Sequence, residues 1–253
     1  IFISGIDSRS GLVAKSRSDS NIIATVNTAT RQVRLVSPPR DYFGPLSISG
    51  GQRDKLTHAG IYGIDVCMNT LGMLYDIDIN YYFRINFGGF VKVIDALGGI
   101  TVYSDYDFDS KNITGYHFNQ GANYVNGEQA LVFSRERYAF QEGDRQRGKN
   151  QMAVIKGVID KALSPEILTS YSSILSSLDG CFGTNITYEE IAQLLQQQLT
   201  NGGSWTIVSY SVDGTGATEK PYSMSQNAYV MVPDYNTVDK AKSLMQKVRD
   251  GEV

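Results

Sequence analysis

Cysteine, histidine and tryptophan are scarce in this sequence of 253 residues, which contains two, two and one of them. The cysteines, Cys67 and Cys181, lack the CxxC spacing and the accompanying histidines of a zinc centre, so we do not expect a zinc site. Cys67 lies in an apolar helical run, which favours a buried thiol, although a disulfide between the two cysteines stays open. His58 and His117 have no recognisable serine or cysteine partner, which favours core or surface positions over nucleophilic catalysis.

Long apolar runs and a large excess of either charge are also absent. No run approaches the roughly 20 apolar residues of a membrane-spanning helix, and no signal peptide is visible. Because the sequence begins inside the strand-like run Ile1–Gly5, we expect it to be a piece of a longer protein. The net charge of −3 indicates no polyanionic partner. The basic residues are also focal, whereas nucleic-acid binding would need basic patches interleaved with aromatic residues.

The residues that are present indicate a globular chain of alternating strands and helices. Apolar residues make up 42% and charged residues 19%, which argues against disorder. Strands are predicted at Phe2–Ile6, Ser20–Asn27, Val33–Ser37, Asn80–Ile85, Ile100–Tyr103 and Thr206–Ser211. Helices are predicted at about Ala59–Tyr75, Phe87–Leu97, Asn126–Arg135, Arg145–Leu163, Pro165–Leu178, Tyr188–Thr200 and Tyr235–Asp250. The interleaved order, without a dividing linker, predicts one α/β sandwich domain with a mixed sheet, and the run Gly214–Thr218 is predicted to be a loop.

Two aspartates lie next to the first two predicted strands. Asp7 follows the first strand, in the segment that also contains Arg9 and Arg17, and Asp19 precedes the second strand. If these strands are neighbours, both carboxylates lie at one edge of the sheet, where paired oxygen ligands suit Mg²⁺ beside a phosphate. The alternative, which stays open, is that both aspartates cap turns.

An arginine follows the third predicted strand, in the segment Ser37-Pro38-Pro39-Arg40-Asp41. The two prolines end the strand and restrict the backbone, so Arg40 leaves the sheet edge in a defined direction. Ligands of open α/β sheets bind just outside strand ends, which makes Arg40 a candidate for binding an anion. An arginine in a solvated loop is the alternative.

The strongest candidate site lies at the beginning of the predicted helix Arg145–Leu163. Asp144, Arg147 and Gln151 share one helical face. That face continues through three apolar residues, Ile155, Val158 and Ala162. The stripe predicted to face the core is therefore charged at its beginning, and a helix N-terminus is a favourable site for an anion. An anionic ligand is predicted there, because arginine opposes the helix dipole at that end and its fixed fork binds phosphate oxygens in pairs.

The preceding helix ends at Arg135-Glu136-Arg137, which brings two more guanidinium groups towards the same turn. An internal salt-bridge network of these three residues with Asp144 is the alternative that the sequence leaves open. Arg145 falls about 100° away from the shared face. Other kinds of site lack their motifs, since the sequence contains no GxxxxGK[ST] and no GxSxG.

Taken in order, these segments resemble the LytR–CpsA–Psr proteins of Gram-positive cell envelopes, and the chain looks like a streptococcal capsule-associated member. The resemblance covers most of the chain and rests on separated motifs: Gly5-Ile6-Asp7, Arg17-Ser18-Asp19, Pro39-Arg40-Asp41, Lys55-Leu56-Thr57-His58-Ala59, Arg135-Glu136-Arg137, Asp144-Arg145-Gln146-Arg147 and Gln151. The chain departs from the family pattern at Pro38, where members usually have an aliphatic residue. The second proline removes a backbone donor, and we expect it to shift Arg40 slightly.

The resemblance implies a single domain over residues 1–253, folded as a three-layer α/β/α sandwich around a central mixed β-sheet. It also implies membrane helices upstream and a position on the extracellular face of the cell membrane of a Gram-positive bacterium. The implied activity is that of a phosphotransferase, which moves a glycopolymer such as capsular polysaccharide or teichoic acid from an undecaprenyl-pyrophosphate carrier to peptidoglycan. The alternatives are a polyprenyl-pyrophosphate phosphatase and a non-catalytic, lipid-phosphate-binding regulator of capsule assembly.

The same resemblance assigns roles to individual residues. Asp7 and Asp19 would hold Mg²⁺ at the pyrophosphate. The pyrophosphate oxygens would be bound by Arg17, Arg40, Arg135, Arg137, Arg147 and Gln151. The catalytic candidates are Arg40, Asp144 and Arg147, with Asp144 orienting or deprotonating the acceptor hydroxyl. A lipid tunnel would be lined by two apolar stripes, for which ordinary core is the alternative: Phe87, Phe90, Ile94 and Leu97, and Ile61, Ile64, Met68 and Leu71.

Overall fold

The computed structural model describes residues 1–8 and 15–252, so Arg9 lies outside the described residues. Its strands are β1 (Phe2–Ile6), β2 (Ser20–Asn27), β3 (Gln32–Ser37), β4 (Phe43–Pro45), β5 (Arg53–Lys55), β6 (Tyr82–Asn86), β7 (Ile100–Ser104), β8 (Phe108–Asp109), β9 (His117–Phe118), β10 (Gly121–Val125), β11 (Phe182–Thr184), β12 (Thr206–Ser211), β13 (Gly214–Glu219) and β14 (Ala228–Pro233). Its helices are α1 (Ala59–Tyr62), α2 (Ile64–Tyr75), α3 (Phe87–Ala96), α4 (Gly127–Arg135), α5 (Asp144–Ala162), α6 (Pro165–Leu168), α7 (Tyr171–Ser177), α8 (Tyr188–Asn201) and α9 (Tyr235–Asp250).

The largest sheet among the described residues has six strands, in the order β11-β6-β1-β2-β3-β12. Strand β2 runs antiparallel to β1 and to β3, whereas β12 runs parallel to β3, so the sheet is mixed. Continuous apolar runs form its inner strands, as the buried Ile22, Ile23 and Val36 illustrate. The predicted α/β class with a central mixed sheet flanked by helices is confirmed.

The six strands predicted from the sequence are present, each within two residues of its predicted boundaries, but the hairpin of β13 and β14 was not predicted. The prediction of a loop at Gly214–Thr218 is wrong, because this run belongs to β13, which pairs antiparallel with β14 over its whole length. Glycine, threonine and alanine alternate there with little burial, so no apolar period marks the strand. Cross-strand contacts such as the approach of Tyr229 to Gly216 stabilise it instead.

Two predicted helices are each divided in the structure. The predicted helix Ala59–Tyr75 breaks at Gly63, whose φ of 122° favours glycine, and a 3₁₀ turn over Leu56–His58 precedes it. The second breaks after α6, where the hydroxyls of Thr169 and Ser170 donate to the Glu166 carbonyl at 2.9 and 3.0 Å. Such side-chain bonds compete with the backbone ladder and favour a turn. The predicted capping box of Thr187 with Glu190 is confirmed at the beginning of α8.

The chain comprises two compact units, of which unit 1 is Ile1–Arg84 with Thr206–Val253 and unit 2 is Ile85–Trp205. In unit 1, helix α9 buries a stripe of Val238, Ala241, Met245 and Val248, most of which joins a core with residues of β1 to β3 and α2. In unit 2, residues of α3, α4, α5, β7 and β10 form a second core. The single-domain assignment stays a prediction. None of the described helices is long and apolar enough to cross a membrane.

Candidate functional site

The first two strands bring two predicted site residues to one edge of the sheet in unit 1. Strand β1 pairs antiparallel with β2, with Gly5 opposite Ser20, so the end of β1 lies beside the beginning of β2. The backbone N–H of Asp19 donates to the Gly5 carbonyl at 2.9 Å. Asp7 follows β1 at this edge and is exposed. The neighbouring strands that the magnesium hypothesis required are therefore present.

Arg40 lies at the same edge, and its side chain contacts two carboxylates. One terminal nitrogen pairs with Asp19 Oδ1, and Nε lies 3.7 Å from Asp41 Oδ2. Lys55 Nζ lies 3.1 Å from the other oxygen of Asp41. The Thr57 N–H donates to the Arg40 carbonyl at 2.8 Å, which fixes the backbone. The side chain is 27% exposed, so Arg40 is a positioned residue rather than a solvated loop arginine. We call Asp19, Arg40, Asp41 and Lys55 the sheet-edge cluster.

The segment that carries Arg17 is fastened to the first helical turns of unit 1. The Ser18 N–H donates to the Thr57 carbonyl at 3.1 Å, and Arg84 Nη2 donates to Ser16 Oγ at 2.9 Å. Gly60 makes the approach possible, because a Cβ there would lie 2.8 Å from the Ser18 nitrogen and closer still to the Ser16 carbonyl. Arg17 itself is exposed, and in the sequence it lies just before Asp19 of the sheet-edge cluster.

In unit 2, the beginning of α5 brings together two arginines and one aspartate. Asp144 Oδ2 accepts from Arg147 Nη2 at 2.9 Å, and Arg137 Nη1 lies 3.8 Å from Asp144 Oδ1. Arg147 is 13% exposed and Arg137 is 42% exposed. One carboxylate thus faces two guanidinium groups at a helix N-terminus, where a positive dipole adds to their field. We call Arg137, Asp144 and Arg147 the guanidinium cluster.

Aromatic rings hold two of the arginines in place. The guanidinium carbon of Arg135 lies 4.2 Å from the centre of the Phe87 ring. That of Arg137 lies 4.7 Å from the Tyr138 ring centre, and its Nη2 donates to the Tyr138 hydroxyl at 2.6 Å. Because stacking uses the face of a guanidinium, its in-plane N–H groups still point outwards from the ring. The contact between Arg135 and Phe87 could not be predicted from a local pattern, since the two residues are far apart in the chain.

The predicted position of the buried stripe of α5 is wrong: the observed stripe is rotated by about 100° around the helix axis, which corresponds to one residue. The face of Asp144, Arg147 and Gln151 is half-buried throughout, including its apolar continuation. Most of the buried residues of α5 lie about 100° away, at Gln146, Asn150, Val154 and Gly157, and Met152 is buried on the other side of this face. Gly157 sets this orientation, because a Cβ there would lie 2.5 Å from the Thr101 carbonyl, so α5 packs on β7 through its glycine. The charged face is left partly open, which suits a ligand.

The alternative of an internal salt-bridge network holds only in part. Asp144 does pair with Arg137, as that alternative required, and it also pairs with Arg147, which the alternative did not include. Glu136, however, is fully buried, and its carboxylate accepts hydrogen bonds from backbone N–H groups of two segments, at Lys111 and at Arg137. Burial alone would raise the pKa of Glu136, but these backbone hydrogen bonds outweigh it and hold the pKa below its usual value. The carboxylate is therefore an anion whose partners are amides.

A buried aspartate and histidine in unit 1 form a cluster that the sequence did not reveal. His58 Nδ1 lies 2.6 Å from Asp54 Oδ1 and 2.8 Å from Ser223 Oγ, and the Ser223 N–H donates to Asp54 Oδ2 at 3.0 Å. The core position expected for His58 is confirmed, but a serine partner does exist, 165 residues away. Asp54 Oδ1 and Ser223 Oγ both contact Nδ1 of His58. The arrangement is therefore not a nucleophilic triad, in which the serine and the aspartate contact different nitrogens of the histidine ring. It joins β5 to the loop before β14.

We expect this cluster to make the stability of the protein fall at acidic pH. Burial acts to raise the pKa of Asp54, but hydrogen bonds from His58, Ser223 and the Lys55 N–H together hold it below its usual value. A depressed carboxylate pKa stabilises the fold above the unfolded value of about 3.9, and that stabilisation is lost as the pH falls through the folded pKa.

Asp54→Asn should therefore lower the free energy of unfolding at pH 7 by on the order of 2 kcal/mol. It should also flatten the dependence of that free energy on pH below about 4, measured by urea titration at several pH values. Exposed Asp76→Asn is the control, because asparagine tolerates its left-handed backbone. An unchanged acid limb in Asp54→Asn would contradict the assignment.

The expectations about cysteine and metal ligands have separate outcomes. Cys67 and Cys181 are both buried free thiols, so the open question of a disulfide is answered in the negative. Burial raises the pKa of the Cys67 thiol to about 12, which makes it unreactive. Among the described residues there is no group of three or more histidine, cysteine, aspartate or glutamate side chains that could hold a metal ion. The two-carboxylate magnesium site of Asp7 and Asp19 stays a prediction.

The order of these features along the chain matches a known protein family. The family model LytR_cpsA_psr matches residues 1–247. The chain belongs to this family. The resemblance that the separated motifs indicated is thus confirmed over nearly the whole chain.

Relatives and solved structures of the family agree with this assignment. The polyisoprenyl-teichoic acid–peptidoglycan teichoic acid transferase TagU of Bacillus cereus is 35% identical over 192 residues, which are 76% of this chain and 61% of the relative. The TagU of Enterococcus faecalis is 36% identical over 197 residues, which are 77% and 63% of the two chains. The crystal structure of B. subtilis TagV superposes with a TM-score of 0.81 at 28% identity, covering 98% of this chain and 96% of TagV. The matched segment thus spans about three fifths of the length of the curated relatives.

Proposed function

We propose that the chain is the transferase part of a cell-envelope enzyme that moves a glycopolymer from a polyprenyl-pyrophosphate carrier to peptidoglycan. The geometry that carries this proposal is the guanidinium cluster, in which one carboxylate faces two arginines at the beginning of α5. Such an excess of fixed positive charge is what a pyrophosphate requires. The family relatives named as teichoic acid transferases support a teichoic acid as the transferred group, whereas a capsular polysaccharide stays a prediction from the sequence.

The proposed reaction is a phosphoryl transfer catalysed by positioning and by charge neutralisation. The acceptor hydroxyl attacks the phosphorus next to the glycopolymer, the bond to the lipid phosphate breaks, and the lipid leaves as a monophosphate. Arg137 and Arg147 would neutralise charge on the phosphoryl oxygens, and Arg135 and Gln151 of the same unit would bind further oxygens. The family resemblance also assigns Arg17 and Arg40 to the pyrophosphate. Asp144 would orient the acceptor hydroxyl and accept its proton.

Two carboxylates at one sheet edge also suit a magnesium ion. Asp7 and Asp19 provide hard oxygen donors beside β1 and β2, which fits the few carboxylate ligands that Mg²⁺ takes when substrate oxygens complete its shell. When bound, the ion would add positive charge beside the pyrophosphate. Asp19 also pairs with Arg40, so this carboxylate would contact both the metal ion and that arginine.

We expect transfer to stop when divalent cations are chelated and to return when Mg²⁺ is added. Asp7→Asn should raise the Mg²⁺ concentration for half-maximal rate by about tenfold or more, since it removes one ligand. Asp7 is the better test position, because Asp19→Asn would also disturb Arg40. The control is Asp76→Asn, exposed at the end of α2. A Mg²⁺ titration that is the same in the wild type and Asp7→Asn would contradict the metal site.

The setting that follows from the proposal is the outer face of a Gram-positive cell membrane, to which helices upstream of this sequence would anchor the enzyme. Mass spectrometry of lipid that co-purifies with the protein tests the donor assignment. We expect a polyprenyl phosphate or pyrophosphate, with or without attached sugar, and its loss in Arg147→Ala. Binding of such a lipid without turnover under any metal condition would support a regulator instead, and lipid monophosphate release without an acceptor would support a phosphatase.

A further inference from the structure

Glu136 lies between two arginines that the proposed function assigns to the pyrophosphate, yet it is fully buried, with 0% of its surface exposed. It caps the C-terminus of α4, where the backbone turns from helical to extended. A carboxylate in such a place stays ionised only if other groups satisfy its oxygens, because an isolated buried charge is costly. What satisfies it decides whether the neighbouring arginines keep their charge for a ligand.

Backbone N–H groups from two separate segments satisfy this carboxylate. Oε1 accepts from Arg137, Tyr138 and Ala139 at 2.9, 2.7 and 3.0 Å. Oε2 accepts from Lys111 and Asn112 at 2.7 and 2.9 Å. Charge-assisted bonds of this kind are about twice as strong as neutral ones. One side chain therefore joins the turn after α4 to the loop after β8.

The same turn carries the two guanidinium groups in fixed places. The Arg135 carbonyl accepts from Asn112 Nδ2 at 3.5 Å, so the loop after β8 contacts the chain on that side of Glu136 as well. The Arg135 side chain stacks on Phe87, and the Arg137 side chain stacks on Tyr138, whose backbone N–H is among those bound by Glu136. The place of each guanidinium thus depends on a turn whose conformation Glu136 holds.

We propose that Glu136 is a positioning residue for pyrophosphate binding. Its carboxylate fixes the turn that places Arg135 and Arg137, and it is satisfied by amides, so it does not use up the charge of the arginines. This inference rests on the proposed function of the guanidinium cluster. Glutamine cannot take over this role, because its NH₂ group would face at least two backbone N–H donors.

Charge and position make opposite predictions for Glu136→Gln. Removing a negative charge beside two arginines should tighten the binding of an anion if charge alone matters. If Glu136 acts by position, the dissociation constant for inorganic pyrophosphate should rise about tenfold, the effect of leaving one side of the turn without its acceptor. The control is Glu142→Gln, which removes the same charge from the same loop and leaves an exposed pair with Lys149 broken. It should leave binding unchanged or slightly tighter.

The measurement is calorimetric titration of the wild type, Glu136→Gln and Glu142→Gln with pyrophosphate, together with hydrogen exchange of the folded proteins. We expect the amides of Lys111, Asn112 and 137–139 to exchange faster in Glu136→Gln while the core of α5 stays protected. If Glu136→Gln does not fold, Glu136→Asp replaces it: the charge remains, but the shorter side chain cannot reach both segments, so binding should again weaken.

The outcomes separate this inference from the proposed function. Pyrophosphate binding by Glu136→Gln or Glu136→Asp that equals or exceeds that of the wild type would overturn the positioning role and leave the proposed function intact. A uniform rise of exchange throughout unit 2, with unchanged affinity of the folded fraction, would show a structural role only and also overturn it. A wild type that binds no pyrophosphate would contradict the proposed function itself, and the role of Glu136 with it.

Discussion

Arg147→Ala should lower the rate of glycopolymer transfer by about 10²- to 10³-fold, the usual cost of removing one preorganised donor to a developing negative charge. Arg147 is mostly shielded from solvent, and its side chain donates to Asp144 at 2.9 Å. The substitution therefore removes a positive charge that would face the ligand, and it also removes a partner of Asp144, the candidate base. We expect both kcat and kcat/KM to fall, because the interaction strengthens as charge develops on the phosphoryl oxygens.

The stability of Arg147→Ala should change little, by about 1 kcal/mol or less. Asp144 keeps Arg137 within 3.8 Å, and Arg147 lies on the half-buried face of α5 rather than on its core stripe. Arg145→Ala is the matched control, since it removes the same group from an exposed position about 160° away from Arg147 around the same helix. Full transfer activity in Arg147→Ala, or equal losses in both variants, would contradict the assignment.

Arg40→Ala should have a comparable effect from the sheet-edge cluster. The substitution removes the cation that pairs with Asp19 and lies 3.7 Å from Asp41. Asp41 keeps Lys55 at 3.1 Å, whereas Asp19 loses its ion pair with Arg40 and keeps its contact with Thr57 at 3.5 Å. We expect transfer to fall by about 10²-fold or more, measured with the same lipid-linked substrate, and thermal stability to stay close to that of the wild type.

Arg40→Lys separates charge from geometry in this cluster. Lysine keeps the positive charge but lacks the planar fork that binds two oxygens, so activity between those of Arg40→Ala and the wild type is expected. Arg53→Ala, an exposed arginine on β5, is the control for the loss of one positive charge from this region of the sequence. Activity of Arg40→Ala within a factor of two of that of Arg53→Ala would contradict a role for Arg40.

Local patterns predicted much of the fold, and the failures have physical reasons. Strands β1, β2 and β12 and helix α9 were predicted with their observed bounds, because their apolar periods are strong. The break at Gly63 depends on a backbone angle that a helical period does not report. Strand β13 has no apolar period of its own, and its partner β14 lies beyond an intervening loop. Pairing over such distances is a tertiary effect that a local window misses.

Part of the candidate site could also be predicted from the sequence, and part of it could not. The helical period predicted that Asp144 and Arg147 share one face, and the structure pairs them. Asp19 and Arg40 were each predicted next to a strand end, but their ion pair was not predicted. The rotation of α5 was missed, because the close approach of Gly157 to β7, and not apolar content, decides which face is buried. The partners of Glu136 were missed as well, since backbone amides carry no signature in a sequence.

The most direct test of the account is a transfer reaction with purified protein, Mg²⁺, a polyprenyl-pyrophosphate-linked glycan and peptidoglycan fragments, followed by mass spectrometry of both products. We expect a phosphodiester-linked glycan on peptidoglycan together with one equivalent of polyprenyl monophosphate, and neither product with Arg147→Ala. Release of lipid monophosphate at the same rate with and without peptidoglycan, and no glycan on the acceptor, would contradict it.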